Sequence, residues 1–197
     1  MDVLFLARHG ESELSARGIV SGDPAVPCGL TTQGEAQARE LGRTLAGQPL
    51  QLVVTSDFER CRTTARLALA SRTVEWLELP ELGDVRNGKF EGRPIDEYRR
   101  WAAGAGADEA PPGGGESRAA VAARLAQALY ALLRRPETTA LAVSHQLPIG
   151  LVLAAAKRHP PARSIDAVPH AVPFSLPRPK LEAAAETLEA WAAQPCW

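Results

Sequence analysis

The chain has 197 residues, enough for one domain with a sizeable core, and its 45% hydrophobic and 23% charged fractions are those of a soluble globular protein. A net charge of −1 argues against general binding to nucleic acid or to a membrane surface. Cys28, Cys61 and Cys196 have neither a paired framework nor metal-ligand spacing, which points to a reducing, cytoplasmic setting.

The first element is an apolar run over residues 2 to 7, as expected of a strand covered on both faces and too short for a signal peptide or membrane span. Residues 8 to 30 read as a loop rich in Gly, Pro and Ser. Thr31 is an N-cap for a helix reaching Ala46, with Gly47 and Pro49 as stop signals. A strand over Leu50 to Val54 follows. Ser56-Asp57-Phe58-Glu59 reads as a capping box that opens a helix through Ala70, with Phe58, Cys61 and Ala65 on one face. A short strand is expected over Thr73 to Leu77, then an irregular stretch over 81 to 94 and a short helix from Pro94 through Trp101. Residues 102 to 115 read as a mobile surface loop.

A helix is expected from Glu116 to Arg135, with Ala122, Leu125, Leu129 and Leu132 as its stripe. A strand over Thr139 to Val143 and a helix from Pro148 come next. Prolines at 160, 161, 169, 173, 177 and 179 exclude long helices until about residue 180, where a terminal helix can form. Residues 159 to 197 carry no firmer assignment. Strands alternating with helices predict an α/β fold, a three-layer α/β/α sandwich with a mostly parallel central sheet, in a single domain over 1–197.

Ligands of such folds bind at the carboxyl ends of the strands. The first strand delivers Arg8 and His9 there, the second Ser56 and, one helical turn on, Arg60, and a later one His145. A guanidinium fork matches phosphate oxygens and an imidazole is a good nucleophile toward phosphorus. Two arginines and two histidines at one sheet edge predict a pocket for a dianion, a phosphoryl group, with a helix N-terminus near Ser56 adding partial positive charge. His159 and His170 lack a partner pattern and read as structural. Cys61 reads as a small helix-face residue packed on the sheet; the competing reading is a redox-sensitive thiol beside Arg60.

Several segments together resemble the histidine phosphatase superfamily, which includes cofactor-dependent phosphoglycerate mutases and many small phosphatases. Arg8-His9-Gly10-Glu11-Ser12 is similar to its signature, and Ser21-Gly22-Asp23 and Leu30 to Ala38 to the segments after it. Thr55-Ser56 with Arg60 and Thr64-Ala65, Gly88-Lys89-Phe90-Glu91-Gly92, Gly115-Glu116-Ser117 and Val143-Ser144-His145 follow in family order. The resemblance implies that His9 attacks phosphorus and becomes phosphohistidine, while Arg8, Arg60 and His145 hold the phosphoryl oxygens. It places the proton donor four residues before Gly88, at Asp84, with Glu81 as the competing carboxylate.

Two positions depart from the family pattern. Ser15 stands where many members carry Asn, and Gln146 follows His145 where Gly is usual. Ser15, Arg17, Ser21, Gly22 and Gln146 are the expected substrate contacts, and the loop before Glu116 is a further candidate to line the pocket. No cofactor is expected, and the chain offers no metal-ligand cluster. The function implied is a metal-independent phosphomonoesterase acting on a small phosphorylated metabolite. The alternatives are a phosphoglycerate mutase, against which the short acidic segment from Trp101 to Pro112 speaks, and a phosphate-binding module without turnover. Nothing in the sequence identifies the substrate or the oligomeric state.

Overall fold

The computed structural model describes residues 1–70 and 72–197. Its core is a five-stranded sheet made of β1 (Val3–Arg8), β2 (Leu52–Thr55), β3 (Glu75–Glu78), β4 (Thr139–Ser144) and β5 (Pro173–Pro177), in the order β3-β2-β4-β1-β5. Pairing is parallel except for β5, which runs antiparallel to β1 at one edge. Every residue of β2 and β4 is buried. Successive residues of the central strands alternate between two separate apolar cores. Leu4, Leu6, Leu52, Val54, Ala140 and Ala142 belong to one. Phe5, Ala7, Val53, Leu141 and Val143 belong to the other. That is why these strands read as unbroken apolar runs: neither face meets water.

The second core is closed by α2 (Thr32–Thr44) and α3 (Glu59–Leu69), through Leu41, Phe58, Cys61 and Ala65. The first is closed by α5 (Arg118–Leu133), α6 (Gln146–Ala155) and α7 (Arg178–Ala193), through residues such as Leu125, Leu129, Ile149, Leu151, Leu181 and Leu188. The three-layer α/β/α sandwich is therefore the observed architecture. Two short helices, α1 (Glu13–Ala16) and α4 (Ile95–Gly104), lie at the carboxyl edge of the sheet.

Four local expectations change. The stretch from 8 to 30 contains α1, nucleated by a capping box between Ser12 and Ser15. Ser56 does not cap α3: the N-cap residue is Phe58, which makes no side-chain cap bond, and the Ser56 hydroxyl is used elsewhere. Residues 102–115 are more firmly seated than a surface loop. Ala105, Ala107 and Pro111 are buried, and backbone bonds join Lys89 to Pro112 and Ala119 to Ala107. Finally, the C-terminal segment supplies a strand, β5. Prolines at both of its ends hid it in the sequence, and an edge strand tolerates them because one side of its backbone has no ladder to complete.

Candidate active site

The sheet register builds the site. Arg8 pairs with Ser144 and Thr55 with Val143, so β1, β2 and β4 end level with one another. The residues that follow, His9, Ser56 and His145, emerge together at the carboxyl edge. Arg60 reaches them from the first turn of α3, and Asp84 from the turn after the 3-10 segment Pro80–Leu82. Arg8, His9, Arg60 and Asp84 line a cavity of about 740 Å³.

His9 is almost fully buried, 3% exposed. Its Nδ1 lies 2.7 Å from the Gly10 carbonyl oxygen, so Nδ1 carries the proton and donates it there. Nε2 is left with its lone pair and accepts from Arg60 Nε at 3.2 Å. Burial, then the Arg60 charge, hold the His9 pKa well below the ordinary histidine value, with smaller contributions from Arg8 and His170. The ring is therefore a neutral imidazole whose tautomer is fixed by a backbone carbonyl.

Arg60 is the hub. Besides His9, it donates to the Ser21 hydroxyl at 3.2 Å and the Ser21 carbonyl at 2.8 Å, and Nη2 lies 3.1 Å from His145 Nδ1. The same nitrogen is 3.5 Å from Asp84 Oδ2. Its guanidinium carbon sits 4.3 Å from the centroid of the Phe58 ring. A guanidinium only donates, so His145 Nδ1 is an acceptor and the ring proton sits on Nε2, 2.9 Å from the Ser56 hydroxyl. His145 is fully buried, and desolvation followed by the Arg60 charge pushes its pKa well below the ordinary value.

Arg8 donates from Nη1 to Gln146 Oε1 at 2.8 Å and to the Val168 carbonyl at 2.9 Å, while its buried Nε has no hydrogen-bond partner among the described residues. The Asp84 carboxyl is raised above the ordinary carboxylate value. Burial does this, and the attraction of Arg60 only partly offsets it. Its side chain keeps 25% exposure, toward the cavity it lines. Of the two candidate carboxylates, Asp84 lines that cavity and Glu81 does not.

Of the expected substrate contacts, Ser21, Ser15 and Gln146 line the cavity. The Ser15 hydroxyl is committed to Ser12, accepting from its amide at 2.9 Å and donating to its carbonyl at 2.8 Å, so it stiffens α1 and has no hydrogen left for a ligand. Arg17 is a correction: it is the exposed C-cap of α1 and lies outside the cavity lining. Gly22 is another. It is buried away from the lining and donates to Glu91 Oε2 at 2.8 Å. A Cβ there would stand 2.0 Å from the Val85 carbonyl oxygen, so its smallness serves close packing of the loop on the turn. Residues 105–115 also contribute nothing to the lining. Cys61 is fully buried with its thiol pushed up to about 12 by desolvation, which removes the redox-sensitive reading.

Three groups that support the site were not placed there by sequence reasoning, although His170 was read as structural. His170 donates to or accepts from no side chain of the site, but its Nδ1 lies 2.8 Å from the His9 carbonyl oxygen and its ring 5.5 Å from the His9 ring. Ala171 donates its amide to the Arg8 carbonyl and holds a left-handed φ of 52°, an unfavourable conformation for alanine. The C-terminal segment thus buttresses the end of β1. Arg124 on α5 is the second group. It pairs with the buried Glu116 at 2.7 and 3.0 Å and donates to the carbonyls of Glu81, Gly83 and Asp84 at 2.6, 3.0 and 3.1 Å. One guanidinium therefore fixes the turn that carries Asp84. The third group is the outer cavity wall, with Ile95 and Tyr98 from α4, Arg118 from α5, and Arg163 and Ile165. Among the described residues, no group of three His, Cys, Asp or Glu is arranged to hold a metal ion, and no helix is long and apolar enough to cross a membrane.

A neutral imidazole, two guanidiniums and a protonatable carboxyl thus surround one hollow at the carboxyl edge of an α/β/α sandwich. The chain belongs to the histidine phosphatase superfamily (branch 1), whose sequence profile matches residues 4–192. It is 32% identical to "Probable phosphoglycerate mutase GpmB" of Serratia proteamaculans, over 76% of this chain and 72% of that protein. It is 42% identical to the adenosylcobalamin/alpha-ribazole phosphatase of Salmonella typhimurium, over 46% of this chain and 44% of that protein, less than half of either. In structure it is similar to the alpha-ribazole phosphatase of Shigella flexneri, with a TM-score of 0.77 and 29% identity over 88% of this chain and 89% of that one.

Proposed function

We propose that this protein is a metal-independent phosphomonoesterase that passes the phosphoryl group of a small ester to His9 and then to water. The observation that carries the reading is the state of His9. It is a neutral ring, its Nδ1 proton is given to the Gly10 carbonyl, and its Nε2 lone pair is turned to Arg60 in the cavity that Asp84 also lines.

Nε2 attacks phosphorus as the ester P–O bond breaks. Charge spreads over the three equatorial oxygens, and fixed cations stabilise it without reorganising. Arg8 and Arg60 supply them. His145 is fully buried and lines no part of the cavity; its Nδ1 accepts from Arg60 Nη2 at 3.1 Å, so its part is to hold that guanidinium toward the phosphoryl group. Asp84 gives its proton to the leaving oxygen, and burial favours the protonated form needed for this step. The resulting carboxylate then takes a proton from water as that water attacks the phosphohistidine, which regenerates both groups.

Hydrolysis is favoured over mutase chemistry because no basic residue occurs between Trp101 and Glu116, where a mutase would grip its substrate from an insertion. The cavity, about 740 Å³, is of the size that holds metabolite-sized ligands. Three unpaired cysteines fit a reducing compartment, the cytoplasm. The test is phosphate release from a panel that includes α-ribazole 5′-phosphate, sugar phosphates and phosphoglycerates, with His9→Ala as the control. Release by the wild type alone supports the reading. Interconversion of phosphoglycerates without release indicates a mutase, and tight phosphate or vanadate binding without turnover indicates a binding module.

A further inference from the structure

The two guanidiniums of the phosphoryl pocket are held very differently. Arg60 has an acceptor at each nitrogen: Nε donates to His9, Nη1 to the Ser21 hydroxyl and Nη2 to the Ser21 carbonyl. Arg8 is held at Nη1 alone, by Gln146 Oε1 at 2.8 Å and the Val168 carbonyl at 2.9 Å. Those two acceptors take both hydrogens of Nη1. Among the described residues Nε and Nη2 of Arg8 have no acceptor, and Nε is buried. The carboxylate whose charge acts on Arg8, Asp84, is paired with Arg60.

The edge left free is the useful one. The Nε–H and Nη2–H of a guanidinium run side by side, and this pair matches two oxygens of a phosphoryl group. Arg8 keeps that edge clear of protein acceptors while lining the cavity. An anion there gives the buried Nε–H the acceptor that the protein withholds. One acceptor on Nη1 would leave the group free to swing about a single bond; two fix its plane. The Val168 carbonyl is backbone. Gln146, the first residue of α6, is the side-chain half of the hold, and a glycine at this position could not supply it. The Gln146 Nε2 has no acceptor among the described residues and the side chain lines the cavity, so direct contact with substrate is the rival role.

We propose that Gln146 is a positioning residue: its Oε1 holds Nη1 of Arg8 so that the Nε–Nη2 edge addresses the phosphoryl group, and it acts on substrate through Arg8. Charge that spreads over the phosphoryl oxygens is best stabilised by donors already aimed where it develops. Without the Gln146 acceptor the Arg8 charge stays in the pocket, but its plane can turn about the bond to Val168. The inference rests on the phosphatase reading above.

The experiment is a double-mutant cycle over Gln146 and Arg8, read as kcat/KM for p-nitrophenyl phosphate and as Kd for orthovanadate. Gln146→Met keeps the bulk of the side chain without the acceptor, and Gln146→Ala removes both. Each is expected to lower kcat/KM and vanadate affinity by about tenfold when Arg8 is present, the scale of a hydrogen bond to a charged group. In the Arg8→Ala background the same changes should cost less than about twofold, because the group they act through is gone. A loss that persists in full in Arg8→Ala means that Gln146 touches the substrate itself, and overturns the inference. So does a loss of less than about twofold in Gln146→Met with Arg8 present. If the wild type binds vanadate but turns over no ester, the phosphatase reading fails and the vanadate cycle still decides the role of Gln146. A wild type that neither turns over an ester nor binds vanadate overturns both.

Discussion

Replacing Arg124 separates positioning from stability. Arg124 lines none of the cavity. It makes two bonds to Glu116 and three to consecutive-turn carbonyls, the last of them that of Asp84 itself. Arg124→Met leaves Glu116, whose side chain is 6% exposed, as a buried charge without its partner. Breaking such a pair costs about 3–5 kcal/mol. The Arg124 side chain keeps 18% exposure, so water can partly replace it and the low end, about 3 kcal/mol, applies. At roughly 2–4 °C per kcal/mol for a chain of this size, Tm should fall by about 6–12 °C. The double variant Arg124→Met/Glu116→Gln should recover part of the loss, because no orphaned charge remains.

Activity measured well below Tm gives the sharper readout. Loosening the turn misplaces the Asp84 carboxyl, and an error of about 1 Å in a reacting group can cost on the order of 10²-fold. In the phosphoryl-transfer step only substrates that need a proton on the leaving oxygen feel this, whereas the later attack of water, for which Asp84 is the base, is common to all esters. The kcat/KM for an alkyl phosphate, which reports the steps up to departure of the leaving group, should therefore drop by about 10²-fold, while that for p-nitrophenyl phosphate, whose leaving group departs as an anion, changes little. Equal losses on the two esters would refute the reasoning and reduce Arg124 to a stability residue.

Other consequences follow from the buried titratable groups. The folded pKa of Asp84 is raised, so its ionisation opposes folding as pH rises through that value. Asp84→Asn should therefore melt above wild type at pH 8, with the gap closing toward pH 4, and should lose about 10²–10⁴-fold in phosphate release from alkyl esters. His9 and His145 have folded pKa values held below the unfolded value of about 6.5, so the unfolded chain takes up protons first. Urea midpoints should accordingly fall as pH drops below about 6.5, and less steeply in His145→Gln. Since the Arg60 charge lowers both rings, Arg60→Gln should move their NMR titrations to higher pH.

The parts legible in the sequence are those governed by burial along the chain. β1, β2 and β4 are covered on both faces, so each appears as an apolar run, and the polar residue that ends it marks the sheet edge where Arg8, His9 and His145 lie. Arg60 was legible because it lies one turn inside the helix that follows β2. What failed depended on a tertiary partner. Ser56 has the look of a cap, yet its hydroxyl goes to His145, 89 positions away. Arg17 and Arg118 are alike as letters, but one caps a single-turn helix in solvent and the other faces the cavity. The Arg124 clamp acts on backbone carbonyls, which leave no trace in residue identity. β5 was hidden by its prolines, and with it the support that Val168, His170 and Ala171 give to Arg8 and His9.

The central claim is that the Nε2 of His9 takes the phosphoryl group. Rapid acid-free quenching of a single turnover with a ³²P-labelled ester tests it most directly. The account predicts transient label on His9, stable to alkali and lost in acid, that decays at the rate at which phosphate is released. Phosphate release with no labelled protein, or label on any residue other than His9, would contradict it.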